Sequence, residues 1–122
     1  MAAKKIKSII QTDTSECFCR DGSCGGRLEV HHIFKGHARR QIADREGLVV
    51  VLCYQHHQGT NGVHGKNGAG LNAALQELAQ EEWEANFIKS YPYKNHAKEA
   101  AREAWIRMMQ KNYMVLMFQK EL

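Results

Sequence analysis

Glu29-Val30-His31-His32-Ile33, then Leu48-Val49-Val50-Val51-Leu52-Cys53-Tyr54-Gln55-His56-His57, then Gly62-Val63-His64 decide how this chain folds. These stretches hold six of its eleven residues that are Cys (4) or His (7). A hydrophobic core has no need of imidazoles at such spacings. A metal ion does, because neutral His nitrogen and Cys sulfur are good ligands for first-row metals. Arg27–His31 alternates polar and apolar, as a half-buried strand does. Leu48–Leu52 is an apolar run rich in β-branched residues and predicts a second strand. The two should pair antiparallel across a long connection, residues 33–47, with room for a short helical turn at Ala38–Arg45. One or two helical turns should follow Cys53, before the Gly59-Thr60-Asn61-Gly62 interruption.

Upstream, Cys17-Phe18-Cys19-Arg20-Asp21-Gly22-Ser23-Cys24-Gly25-Gly26 reads as a turn-rich loop. The small residues at 22, 23, 25 and 26 allow the tight turns of a metal knuckle. Downstream, Leu71, Ala74, Leu75, Leu78, Ala79 and Trp83 recur at helical spacing, and Pro92 closes the stretch that follows. Asn95 is a candidate N-cap for a last helix carrying Ala101, Trp105, Met108 and Met109. These apolar stripes read as core, since a two-stranded hairpin alone buries little. The chain divides into a partly ordered basic arm (1–16), a hairpin-and-metal core (17–70) and a helical extension of the same domain (71–122).

The length of 122 residues suits one domain, and 43% hydrophobic with 25% charged residues is ordinary for a globular protein. The formal charge of +4 favours a polyanionic partner. Lys4, Lys5 and Lys7 open the chain, Arg39 and Arg40 sit together, and the acidic residues are densest at Glu77–Glu84, which reads as a solvated helix face. No apolar run approaches a membrane span, and the basic start lacks the apolar stretch of a secretory signal. The expectation is a cytoplasmic protein, without membrane or small-molecule cofactor, whose cysteines bind metal rather than form disulfides.

Glu29-Val30-His31-His32-Ile33, Leu52-Cys53-Tyr-Gln-His56-His57 and Gly62-Val63-His64 resemble the HNH, or ββα-metal (His-Me finger), endonucleases, above all small phage and prophage members. The stretch from Ala38-Arg39-Arg40 to Gly65 and the ending Lys111-Asn112-Tyr113 are similar too. The resemblance covers residues 16–70 well and the later helices loosely. It implies an α+β fold: a two-stranded antiparallel hairpin and helix stapled by zinc, with C-terminal helices packed on it. It also implies a metal-dependent nuclease that hydrolyses DNA phosphodiesters in phage recombination, replication or packaging, as a monomer or a homodimer. His32 would be the general base, since an imidazole titrating near neutrality can take a proton from water. His31, His57 and His64 would hold the catalytic ion, Mg²⁺ or Mn²⁺ in use, with Zn²⁺ or Ni²⁺ also suited to a nitrogen site. Asn61, one helical turn after His57, is the rival to His64. Lys35, Arg39 and Arg40 are candidate phosphate contacts.

Cys53-x2-His56 makes one knuckle of a second, structural zinc site. Cys19 and Cys24, at ordinary zinc spacing, would complete it, with Cys17 as alternate. Many HNH proteins carry an Asn just before the second strand, where Glu46 and Gly47 stand here. A loop carbonyl accepting from Nδ1–H of His32 could do that residue's work of holding the base. His37 and His96 lie outside the cluster and read as surface residues. A catalytically inactive, zinc-stabilised nucleic-acid-binding module would share fold, charge and zinc, and would leave His32 unused.

Overall fold

A computed structural model of the chain describes residues 6–114. The order is β1 (Leu28–His32), α1 (His37–Glu46), β2 (Val49–Cys53), α2 (Tyr54–His57), α3 (Ala69–Ser90), a 3-10 turn (Lys94–His96) and α4 (Ala97–Met109). The architecture is α+β. β1 and β2 pair antiparallel from Leu28 opposite Cys53 to His32 opposite Val49. That register sets Cys53 at one end of the hairpin and His32 at the other. Both strands run one residue later than the sequence pattern suggests, within the usual uncertainty of strand ends.

All five residues of β2 are buried, because both its faces and both its edges are covered. β1 covers one edge. Residues 8–18 cover the other: Ser8 Oγ donates to Val49 O (2.6 Å), the Val51 amide to Gln11 Oε1 (2.7 Å) and the Phe18 amide to Val51 O (2.8 Å). From Ile6 onward the basic arm is thus part of the domain; Lys4 and Lys5 lie outside the described residues. This cover protects a strand that would otherwise offer a bare apolar edge.

The connection between the strands holds α1, which extends the helical turn expected at Ala38–Arg45 by one residue at each end. Little apolar periodicity announces α1, whose one buried residue is Ala43. Its end is sharp. Gly47 takes φ 78°, a left-handed conformation glycine adopts freely, and the amides of Gly47 and Leu48 both donate to Ala43 O. Beyond the hairpin, α3 and α4 fold back on each other. Asn95 lies inside the 3-10 turn, so it does not cap α4, which starts after His96 without a side-chain cap.

One core joins these parts: Ile33, Phe34, Leu48, Val50 and Leu52 from the hairpin region meet Leu75, Ala79, Trp105 and Met109 from the helices. Trp105 is fully buried, packs edge-on to Phe34 and Trp83, and donates its indole N–H to Lys111 O (3.0 Å). Gln80 is also fully buried. Its amide nitrogen reaches Glu84 Oε2 (2.8 Å) and Asn112 Oδ1 (2.9 Å), and its oxygen accepts from the Tyr113 amide (2.7 Å). Glu84, expected on a solvated face, instead turns inward to this network and to Arg102 (2.8 Å). No described helix is long and apolar enough to cross a membrane.

Gln80→Ala strands the Asn112 and Tyr113 groups that Gln80 satisfies. It should cost about 2–3 kcal/mol in urea unfolding, whereas Glu81→Ala on the exposed face should change stability by under about 0.5 kcal/mol.

Candidate metal centres

Two donor clusters flank α2. At the Cys53 end of the hairpin, Cys17, Cys24, Cys53 and His56 bring one donor atom each within 4.8 Å of one another. His56 Nδ1 lies 3.6 Å from Cys17 Sγ, 3.6 Å from Cys24 Sγ and 3.1 Å from Cys53 Sγ. A tetrahedral zinc with ordinary Zn–S and Zn–N bonds sets its N···S edges at about 3.6 Å. The set therefore fits a zinc-sized ion in identity, number and spacing. The outer nitrogen of His56 is held by Asp21 Oδ2 and Ser23 Oγ, both at 3.2 Å, the arrangement that presents the other nitrogen to a metal.

The electrostatics agree. Burial pushes the Cys53 thiol up, but amide bonds from Gly25 and His56 and the His56 imidazole outweigh it and bring the pKa down to about 6. Cys53 is thereby readied as a thiolate. Cys19 behaves in the opposite way: burial, then the neighbouring Cys17, push it up to about 12. It packs against the core and stays outside the donor set, so Cys17 stands where Cys19 was expected. The cause is the path of the backbone. The Phe18 amide binds Val51 O and draws Cys17 alongside β2, and the chain then bends through Phe18 and Cys19. All four cysteines are free thiols.

On the other side of α2, His31, His57 and His64 form a second set, again with donor atoms within 4.8 Å. Their ring centroids lie 4.8–5.2 Å apart. β1 supplies His31, 2% exposed, with Glu29 two residues earlier on the same face. Glu29 Oε1 binds His57 Nδ1 at 2.7 Å and is itself steadied by Arg27 (2.7 Å), leaving Nε2 of His57 free to ligate. His31 Nε2 meets Asn72 Oδ1 at 3.4 Å. Burial, followed by the nearby His57, brings the His31 pKa down to about 4, and the same two causes lower that of His64. His31 is therefore neutral at physiological pH.

His64 reaches this cluster because the Gly59–Gly68 loop doubles back. The Val63 amide donates to His56 O (2.9 Å) and the His64 amide to His57 O (3.0 Å), so the loop runs beside α2. The fold-back is close: a Cβ at Gly68 would collide with the carbonyl of Gly62. Asn61, the rival ligand, instead lines a small pocket with Ser23 and His56 on the far side and accepts from Asn67 (3.1 Å). The structure thus brings His64 beside His31 and His57 and sets Asn61 in another pocket.

His31, His32, His57 and His64 line a cleft of about 450 Å³ together with the exposed Lys35, His37 and Arg40. Arg39 is absent from the lining and sits near Tyr113, whose phenol is raised by burial and partly lowered by the Arg39 charge. His37, read from sequence as surface, is a lining residue that only the position of α1 reveals. The expected carbonyl partner of His32 is replaced. His32 Nε2 lies 2.7 Å from Asp44 Oδ1 on α1, and the described residues place no hydrogen-bond partner on Nδ1. No protein-family model, curated protein or solved structure matches this chain.

The two thiol assignments separate in a competitive metal titration. Cys17→Ser should weaken retention of one zinc by at least the ~10–100-fold that losing even an outer-shell partner costs, and should lower the thermal midpoint. Cys19→Ser should leave zinc stoichiometry unchanged.

Proposed function

We propose that this chain is a small HNH-type, metal-dependent endonuclease that hydrolyses DNA phosphodiester bonds, its ββα-metal hairpin stapled by zinc. One observation carries the reading. A three-imidazole donor set opens into a cleft that also holds a fourth imidazole, His32, from the adjacent strand position, together with Lys35 and Arg40. Mutually close imidazoles backed by a carboxylate and an amide are costly to assemble for packing alone, and they match what a metal needs.

His31, His57 and His64 would hold the catalytic ion, with Glu29 and Asn72 fixing two of the rings. A divalent cation held there, Mg²⁺ or Mn²⁺ in use, would supply charge neutralisation at the phosphate and would stabilise the leaving oxygen. A site of three nitrogens also suits Zn²⁺ or Ni²⁺. His32 takes a proton from a water in line with phosphorus: the O–H bond breaks as the O–P bond forms, and the proton rests on the imidazole. The departing sugar oxygen collects its proton from solvent. Lys35 and Arg40 position the strand by charge on neighbouring phosphates, and the net charge of +4 favours such a partner.

At the other end, Cys17, Cys24, Cys53 and His56 would hold a structural zinc. That ion would tie the 17–26 loop to the start of α2 and so orient His57, the next residue. A two-stranded sheet is marginal without such a staple. The resemblance to phage and prophage nucleases suggests a role in DNA recombination, replication or packaging.

A supercoiled-plasmid assay with Mg²⁺, Mn²⁺ or EDTA tests this. Wild type should nick only with metal. His32→Ala should cut about 10²–10⁴-fold more slowly, the range general-base catalysis supplies, with DNA affinity within about twofold. Zinc-loaded wild type that shifts DNA on a gel but cuts no duplex, branched or single-stranded substrate would instead be a binding module.

A further inference from the structure

We infer that Asp44 is a positioning residue for His32, holding that imidazole in the one tautomer and orientation in which it can act as a base on the cleft. The inference rests on the hydrolase reading for its catalytic consequence and on geometry alone for its structural one.

The contact is a 2.7 Å approach of Asp44 Oδ1 to His32 Nε2. A carboxylate only accepts, so Nε2 must carry the proton, and Nδ1 is left with a lone pair. No described residue bonds Nδ1, and His32 borders the cleft that holds the imidazole triad. The free nitrogen is therefore the one available to a water there. The proton on Nε2 does not move.

Both ends of the contact are anchored. His32 ends β1, and the next two residues, Ile33 and Phe34, are buried in the core. Asp44 follows Ala43, the buried residue of α1, whose carbonyl receives the amides of Gly47 and Leu48. The Asp44 side chain is itself 65% exposed, so it carries little packing. Removing it should leave the fold intact, and its exposure makes it a clean probe. Twelve residues separate the pair in sequence, and Asp44 belongs to no motif among the histidines. Asp44 stands where the sequence offers no Asn before β2, so a carboxylate on α1 takes over the task of holding the base.

Three variants test this: Asp44→Ala, Asp44→Asn and Asp44→Ala combined with His32→Ala, in the full-length, zinc-loaded protein. Two readouts are taken, plasmid nicking resolved into kcat and KM, and the tautomer of His32 from long-range ¹H–¹⁵N spectra at one fixed pH. Asp44→Ala should lower kcat by about 10–100-fold with KM within about twofold, the loss typical of removing an orienting partner. Asp44→Asn should recover part of that, since its amide oxygen can still accept from Nε2–H. In the His32→Ala background the Asp44 change should do nothing further. Wild type should show the Nε2–H tautomer, and Asp44→Ala a mixture. Unchanged kcat in Asp44→Ala, an equal loss without His32, or a wild-type tautomer that ignores the Asp44 change would each overturn the assignment. Wild type that cuts nothing while Asp44 still sets the His32 tautomer would support the positioning and sink the hydrolase reading instead.

Discussion

A single turn of helix joins two clusters of donor side chains, giving one histidine to each. His56 and His57 are consecutive on α2, and consecutive residues on a helix point about 100° apart. His56 therefore faces the thiols, while His57 faces the other imidazoles. Four residues of helix are not stable alone. α2 exists because β2 leads into it through Cys53, because the Tyr54 amide binds Arg27 O (2.8 Å), and because the returning Val63–His64 segment pairs with its carbonyls. Remove any of these and both clusters lose their shared element. The separation of the thiol cluster from the cleft depends on that 100° step.

The strand register is the second constraint. Leu28 opposite Cys53 puts the thiol cluster at one end of the hairpin, and His32 opposite Val49 puts the cleft at the other. Period-two alternation then sorts β1: Glu29 and His31 face α2, and His32 turns to α1. Slipping the pairing by one residue would send His31 out of its cluster and break the Glu29–His57 bond together. Among the described residues every fully buried side-chain nitrogen or oxygen atom has a partner, those of Gln80 included. Such committed polar groups discourage alternative packings, which an apolar hairpin this small would not do.

The apolar core is shared between the hairpin and the helices. Trp105, Phe34, Leu48 and Met109 knit α4 to the loop after β1 and to the start of β2. The Gln80 network locks the 111–113 segment against α3, and the Tyr113 ring packs on Phe34, 4.7 Å away, which in turn lines the cleft. The helical extension thus supports one wall of the cleft as well as supplying the core.

By itself the sequence determined whatever depends on short range. Cys53-x2-His56-His57 reads directly because three or four residues of helix place ligands in reach of one another. The alternation to His31, the apolar run to Cys53 and the periodicity after Leu71 each declare their element through contacts with near neighbours. Only the tertiary structure decided what depends on distant chain segments meeting. Cys17 enters the thiol set ahead of Cys19 because a bond from Phe18 to Val51 steers the backbone past β2. His64 rather than Asn61 comes beside His31 and His57 because the loop pairs back onto α2. The helical stretch at Ala38–Arg45 was legible, but where α1 packs was not, since one buried alanine anchors its ten residues, so neither His37 beside the cleft nor Asp44 beside His32 could be read. Side chains on separate elements meet by the path of the backbone between them, and no local pattern of residues encodes that path.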